Sequence, residues 1–86
     1  MSDEHLKKIR VILESMLKDE LLPVHAASVI SSLSEKTTPD DLGMDSLARF
    51  SLLGELRKAF GKKIDPIAIS AAKCVGEVIQ AIKNSP

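Results

Sequence analysis

Residues 40–50 read DDLGMDSLARF. Three carboxylates, a Leu-Gly pair and a serine stand immediately before a run with helical rhythm. From Ser46 to Phe60, the residues Leu47, Phe50, Leu53, Leu56 and Phe60 return at three- and four-residue steps, which predicts a helix. Gly61 supplies its stop, because glycine enters the left-handed cap conformation without penalty. Asp40, Asp41 and Asp45 precede the run, and Arg57, Lys58, Lys62 and Lys63 stand at or beyond its end. That order of charge complements the helix dipole, at about 0.3–1 kcal/mol for a well-placed group.

The position of Ser46 leaves two readings open. It is a helix N-cap, since Asp-Ser before an apolar-periodic run is a common start signal. Alternatively, it is an exposed hydroxyl modified by another enzyme, because the free N–H groups of a helix start favour a phosphate ester. A hydrolytic triad is disfavoured: there is no G-x-S-x-G elbow, and neither His5 nor His25 carries a signature that brings it to Ser46.

Outward from this stretch the chain is also helical. Leu6, Ile9, Ile12, Leu13, Met16 and Leu17 form one stripe of a helix over about 3–18, with Ser2 or Asp3 as its cap. Residues 19–45 make a long connection. Within it, Pro23 suits a helix start, and Val29, Ile30 and Leu33 predict a short helix over about 24–33. SEKTTPDD is turn-like, with Pro39 restraining Thr38. Asp65 before Pro66 signals a further short helix, and Val75, Val78, Ile79 and Ile82 form the buried stripe of a last helix over 71–83. Nothing reads as a strand. The expectation is one domain over 1–86: an all-α bundle of three longer helices and one or two short ones, with a long loop after the first.

Composition narrows the function. With 86 residues there is one small core, and 2% aromatic content makes that core aliphatic. Zero net charge and few aromatics argue against nucleic acid as a partner. The single cysteine, Cys74, argues against a disulfide framework or a cysteine-based zinc site and reads as a small buried hydrophobe. His25 reads as a surface or capping residue, not a metal ligand. The charged start MSDEHLKK lacks a signal core, and no apolar run approaches the roughly 20 residues that span a bilayer. A soluble protein of a reducing, cytoplasmic compartment is expected, with no stable membrane insertion.

The stretch DDLGMDSLARFSLLGELRKAFGKKI resembles the modification-site region of acyl carrier proteins. The family pattern is an acidic residue, then Leu-Gly-x-Asp-Ser-Leu, opening the second main helix. Here it stands as Asp41, Leu42, Gly43, Met44, Asp45, Ser46 and Leu47. The likeness continues through the apolar positions Phe50, Leu53, Leu56, Phe60, Ile64, Val75, Ile79 and Ile82, covering about 40–83. Peptide-synthetase carriers more often show Gly-Gly-x-Ser at this place, so Met44-Asp45 before Ser46 favours the acyl or polyketide branch.

The resemblance implies a non-catalytic carrier. Ser46 would bear a covalent 4′-phosphopantetheine arm, transferred from coenzyme A by a separate phosphopantetheinyl transferase, and the arm's thiol would carry acyl groups between acyl-loading and condensing enzymes. Asp45, Leu47, Met44, Arg49, Arg57 and Lys58 would meet the transferase and other partners. Leu47, Phe50, Leu53, Leu56, Ile64, Ile69 and Ala72 would line an acyl groove, or serve simply as core. A monomer is expected. The other reading is a helical interaction module with Ser46 only as a cap.

Three departures from the family pattern stand out. Ala48, Ser51, Arg57 and Lys58 fall where members serving fatty-acid synthesis carry acids. Like charges at a docking face weaken encounter, so a specialised carrier with dedicated partners is expected. Ala72 and Gly54 stand where bulkier side chains are usual, and the 19–45 connection exceeds the usual length.

Overall fold

The computed structural model describes residues 2–86, with side chains from Glu4 onward. The capping of the first helix expected of Ser2 or Asp3 lies outside the described side chains. Five helices follow one another: α1 Ser2–Lys18, α2 Ala26–Ser31, α3 Ser46–Phe60, α4 Pro66–Ala71 and α5 Val75–Lys83. Among the described residues there is no strand. The helix α1 packs on α2, α3 and α5, while the short α4 bridges α3 and α5.

The core is aliphatic. Ile9, Leu13, Leu42, Leu56, Ile64, Ile79 and Ile82 are its largest fully buried members, each worth about 1.5–3 kcal/mol of hydrophobic stabilisation. On α1 the expected stripe is the buried face: Ile9, Ile12, Leu13 and Met16 are buried, with Leu6 and Leu17 half-buried beside them. At the far end of that helix, His5 stacks on Phe60 at 5.2 Å between ring centroids, and Lys8 Nζ sits 4.9 Å above the same ring. This clamps the start of α1 to the end of α3.

Three expectations need correction. On α3 the buried residues are Ala48, Leu52, Leu53 and Leu56, while Leu47 is 63% and Phe50 73% exposed. The reason is rotation. Leu47 and Leu56 are nine residues apart, about two and a half turns, so they face opposite ways. The last helix begins at Val75, not at residue 71: Ala72 and Cys74 are extended, and Ala71 ends α4. The short helix of the connection spans only Ala26–Ser31, and Val24 before it is exposed.

The connection is anchored, not loose. Leu22, Ala26, Ile30, Leu33 and Leu42 are buried in the common core. The carbonyls of Thr37 and Glu35 accept from the N–H groups of Val75 and Gly76, both at 2.8 Å. Those donors open α5, whose N-cap residue Cys74 makes no side-chain bond. The loop thus satisfies donors that would otherwise be orphaned at a helix start.

Candidate functional site

The stretch before Ser46 is a single helical turn with both ends closed. Asp41 N donates to Thr38 Oγ1 at 3.0 Å, and Thr38 N donates to Asp41 Oδ2 at 3.2 Å. This reciprocal pair is a capping box, with Pro39 in the first helical position where it loses nothing. At the other end Met44 N donates to Pro39 O and Gly43 N to Asp40 O, both at 3.0 Å. Those two bonds, with Gly43 at φ +65°, form a Schellman stop. Leu42 is pinned in the core at 2% exposure.

A second segment braces this turn. Pro23 and His25 press on Gly43, where an added Cβ would meet Pro23 Cγ at 2.5 Å and His25 Cε1 at 3.1 Å. His25 Nε2 lies 3.2 Å from the Asp41 carbonyl, within hydrogen-bond reach. The long connection therefore folds back to hold the turn that delivers Ser46.

The residue that caps α3 is Asp45. Its Oδ1 accepts from Ala48 N at 2.8 Å, and its backbone is extended. This corrects the capping role expected for Ser46. With Asp45 as cap, Ser46 is the first helical residue, and its exposed side chain is not needed to start the helix. Met44 is half-buried and packs with Pro39 and Leu42 against α1 and α5.

Beside Ser46 a groove of about 260 Å³ opens between α3 and α4. One wall is Ser46, Arg49, Phe50 and Leu53; the other is Pro66, Ile67, Ile69 and Ser70. Leu53 and Ile69 are buried at its floor, while Phe50 and Ile67 are about three-quarters exposed at its rim. An enclosed cavity of about 150 Å³ holds benzene, so this groove has room for a few carbons of an aliphatic chain.

The structure sorts the residues expected to line a groove. Phe50, Leu53 and Ile69 border this one. Leu56, Ile64 and Ala72 lie in the core, at 0%, 1% and 4% exposure. Leu47 faces solvent and lies outside the lining. Pro66, Ile67 and Ser70 were not expected there. The Asp-Pro start of α4 hinted at them, because an isoleucine directly after a first-turn proline sits on an exposed helix end.

The basic residues of α3 are also sorted. Arg49 donates from NH1 to the Ser70 carbonyl at 2.8 Å, joining α3 to α4 along the groove. Arg57 donates to the Ile64 carbonyl from Nε at 3.3 Å and NH2 at 2.9 Å. Among the described residues Lys58 pairs only with Glu55, at 4.0 Å, on an exposed face. The four positions expected to be acidic in fatty-acid carriers thus include one buried residue, Ala48, and one guanidinium, Arg57, that ties down the following loop.

The family model for the phosphopantetheine attachment site matches residues 8–82 of the chain. The span includes α1 from Lys8, the whole braced turn, Ser46 and the groove. No curated protein and no solved structure gives a significant match. Among the described residues no helix is long and apolar enough to cross a membrane.

Proposed function

Since the chain belongs to the phosphopantetheine attachment-site family, a carrier of covalently bound 4′-phosphopantetheine, we propose that Ser46 is the residue that bears the arm. The reading rests on one observation: Asp45 takes the capping role, leaving Ser46 exposed at the mouth of an apolar groove. A serine consumed by capping would present its lone pairs to the helix; this one presents its hydroxyl to a partner. In the transfer from coenzyme A, the Ser46 oxygen bonds to phosphorus and adenosine 3′,5′-bisphosphate leaves. The hydroxyl proton passes to a base of the transferase. The arm supplies a thiol that holds acyl groups as thioesters.

The chain's own residues shield and present. Each methylene received into the groove gains about 0.8 kcal/mol of burial before any opening cost. Leu53 and Ile69 offer the floor, and Phe50 and Ile67 the rim. Leu47 stands beside Ser46 on the solvent side, so with Asp45 it is offered to the transferase and to acyl-loading and condensing enzymes. Lys58 adds an exposed positive charge to α3, paired with Glu55 only at 4.0 Å among the described residues. This favours dedicated partners over the basic docking patches of general fatty-acid enzymes. The chain itself catalyses nothing in this reading, and acts as a cytoplasmic monomer.

Intact mass measurement tests it. The protein is incubated with coenzyme A, magnesium and a broad-specificity phosphopantetheinyl transferase. Gain of one phosphopantetheine by the native chain, and none by Ser46→Ala, is expected. No gain with several transferases, or the same gain in Ser46→Ala, sinks the assignment.

A further inference from the structure

The groove beside Ser46 contains one charged side chain. Seven of its eight lining residues are apolar or hydroxyl-bearing, and the eighth is Arg49. Arg49 is half-buried as a residue while its bond to Ser70 is exposed, and its charge beside an apolar groove attracts an anion. Arg49 stands three residues after Ser46, so their Cβ atoms are about 5–6 Å apart on one helix face. Side chains on a helix lean toward its N-terminus, which carries Arg49 back toward the Ser46 turn.

The guanidinium is already oriented. Its NH1 donates to the Ser70 carbonyl at 2.8 Å, and this is the one side-chain hydrogen bond between α3 and α4 among the described residues. Of the five N–H donors of an arginine, that bond uses one. The rest form a planar fork of the kind that takes two phosphate oxygens together.

We propose that Arg49 binds the phosphodiester on Ser46 and ties it, through Ser70, to α4. The inference rests on Ser46 being the modified residue. Its consequence is directional: an arm anchored to α4 at its root starts along the groove, not out into solvent. Arg49 is thus a binding residue for the arm's anionic root, and a lysine, offering a point charge without the fork, is a poor substitute.

The test compares unmodified and loaded protein, with loading verified by intact mass. In the native chain, loading is expected to move the Arg49 side-chain ¹H–¹⁵N resonances and to shift the ³¹P signal away from that of a phosphopantetheinyl serine peptide. It is also expected to raise Tm by about 4–8 °C, the upper scale of one added exposed ion pair in a domain of this size. In Arg49→Gln the ³¹P signal should return to the peptide value and the loading-induced rise in Tm should vanish; Arg49→Lys should keep less than half of each. Taking the difference between loaded and unmodified forms cancels the loss of the Ser70 bond itself. Arg49 resonances that stay in place when the native chain is loaded overturn the proposal, as does an undiminished rise in Tm in Arg49→Gln. Failure of the native chain to load at all overturns the assignment of Ser46 instead, and mass alone distinguishes the two.

Discussion

Gly43 and Pro23 are in contact so close that no side chain fits between them: a Cβ on Gly43 would lie 2.5 Å from Pro23 Cγ. Gly43 also holds φ +65°, where an L side chain is strained. The two effects add. Left-handed backbone costs about 1–2 kcal/mol, and overpacking about 1–3 kcal/mol. Gly43→Ala should therefore destabilise the fold by at least about 2 kcal/mol in urea unfolding. Pro23→Ala should restore part of the loss in the double variant, because it removes the clash but not the strain. Additive losses in that cycle would mean that the two residues do not press on each other.

At the end of α1, Glu20 is the one non-glycine residue with positive φ among the described residues, at 64°. Leu21 N donates to Met16 O at 2.9 Å and Glu20 N to Leu17 O at 3.1 Å, which is again a Schellman stop. A glycine suits that position better than a glutamate. Glu20→Gly should stabilise the protein by up to about 1 kcal/mol, or about 4–8 °C in Tm. A fall in Tm would show that the Glu20 side chain contributes more than its backbone strain costs.

These stops explain what was legible in the sequence. Periodicity exposed α1 because its stripe is complete, from Ile9 to Met16. Gly61 announced the end of α3, and its N–H donates to Arg57 O at 2.9 Å. Asp65-Pro66 announced α4, where Asp65 accepts from Ile67 N at 2.9 Å. Periodicity failed on α3: Leu47 is about half a turn out of phase with Leu56 and faces solvent, and Phe50 stands at the rim of the groove, so neither joins the core. The capping box of Thr38 and Asp41 was present in TPDD, but the turn residues around it hid it. Glu20 gave no signal, since nothing local distinguishes a left-handed glutamate. Arg49's bond to Ser70 joins residues 21 apart in sequence, so only the fold reveals it.

The cap assignment separates Asp45 from Ser46. Asp45→Ala leaves the Ala48 N–H without its 2.8 Å partner and should cost about 1 kcal/mol, with Asp45→Asn retaining most of it. Ser46→Ala, at an exposed first helical position, should stay within about 0.5 kcal/mol of native. Denaturant midpoints of the three variants decide the matter. A Ser46→Ala loss equal to that of Asp45→Ala would restore Ser46 as a cap.

Leu47 and Leu56 offer a paired test of surface against core. Leu56 is fully buried, so Leu56→Ala should cost about 2–5 kcal/mol, a large share of the stability of a small domain. Leu47→Ser should leave stability within about 0.5 kcal/mol. Its effect should appear instead in the KM of phosphopantetheine transfer, with the fold unchanged by circular dichroism. If transfer to Leu47→Ser proceeds with native KM, the exposed leucine is not part of the transferase's footprint.

Lys58 and Arg57 respond differently to charge reversal, although both stand where fatty-acid carriers are usually acidic. Lys58 is exposed, and its pair with Glu55 at 4.0 Å is of a kind worth at most about 1 kcal/mol. Arg57 is bound twice to the Ile64 carbonyl. Lys58→Glu should therefore change stability little, and should raise kcat/KM by about two- to tenfold with a condensing enzyme that docks acidic carriers through a basic patch. Arg57→Glu should gain less, because it also releases the loop before α4 and lowers the unfolding free energy by about 1 kcal/mol. Measuring both variants at low and high salt isolates the electrostatic part, which must shrink as screening grows. A native chain that such an enzyme already uses as well as Lys58→Glu would refute the preference for dedicated partners.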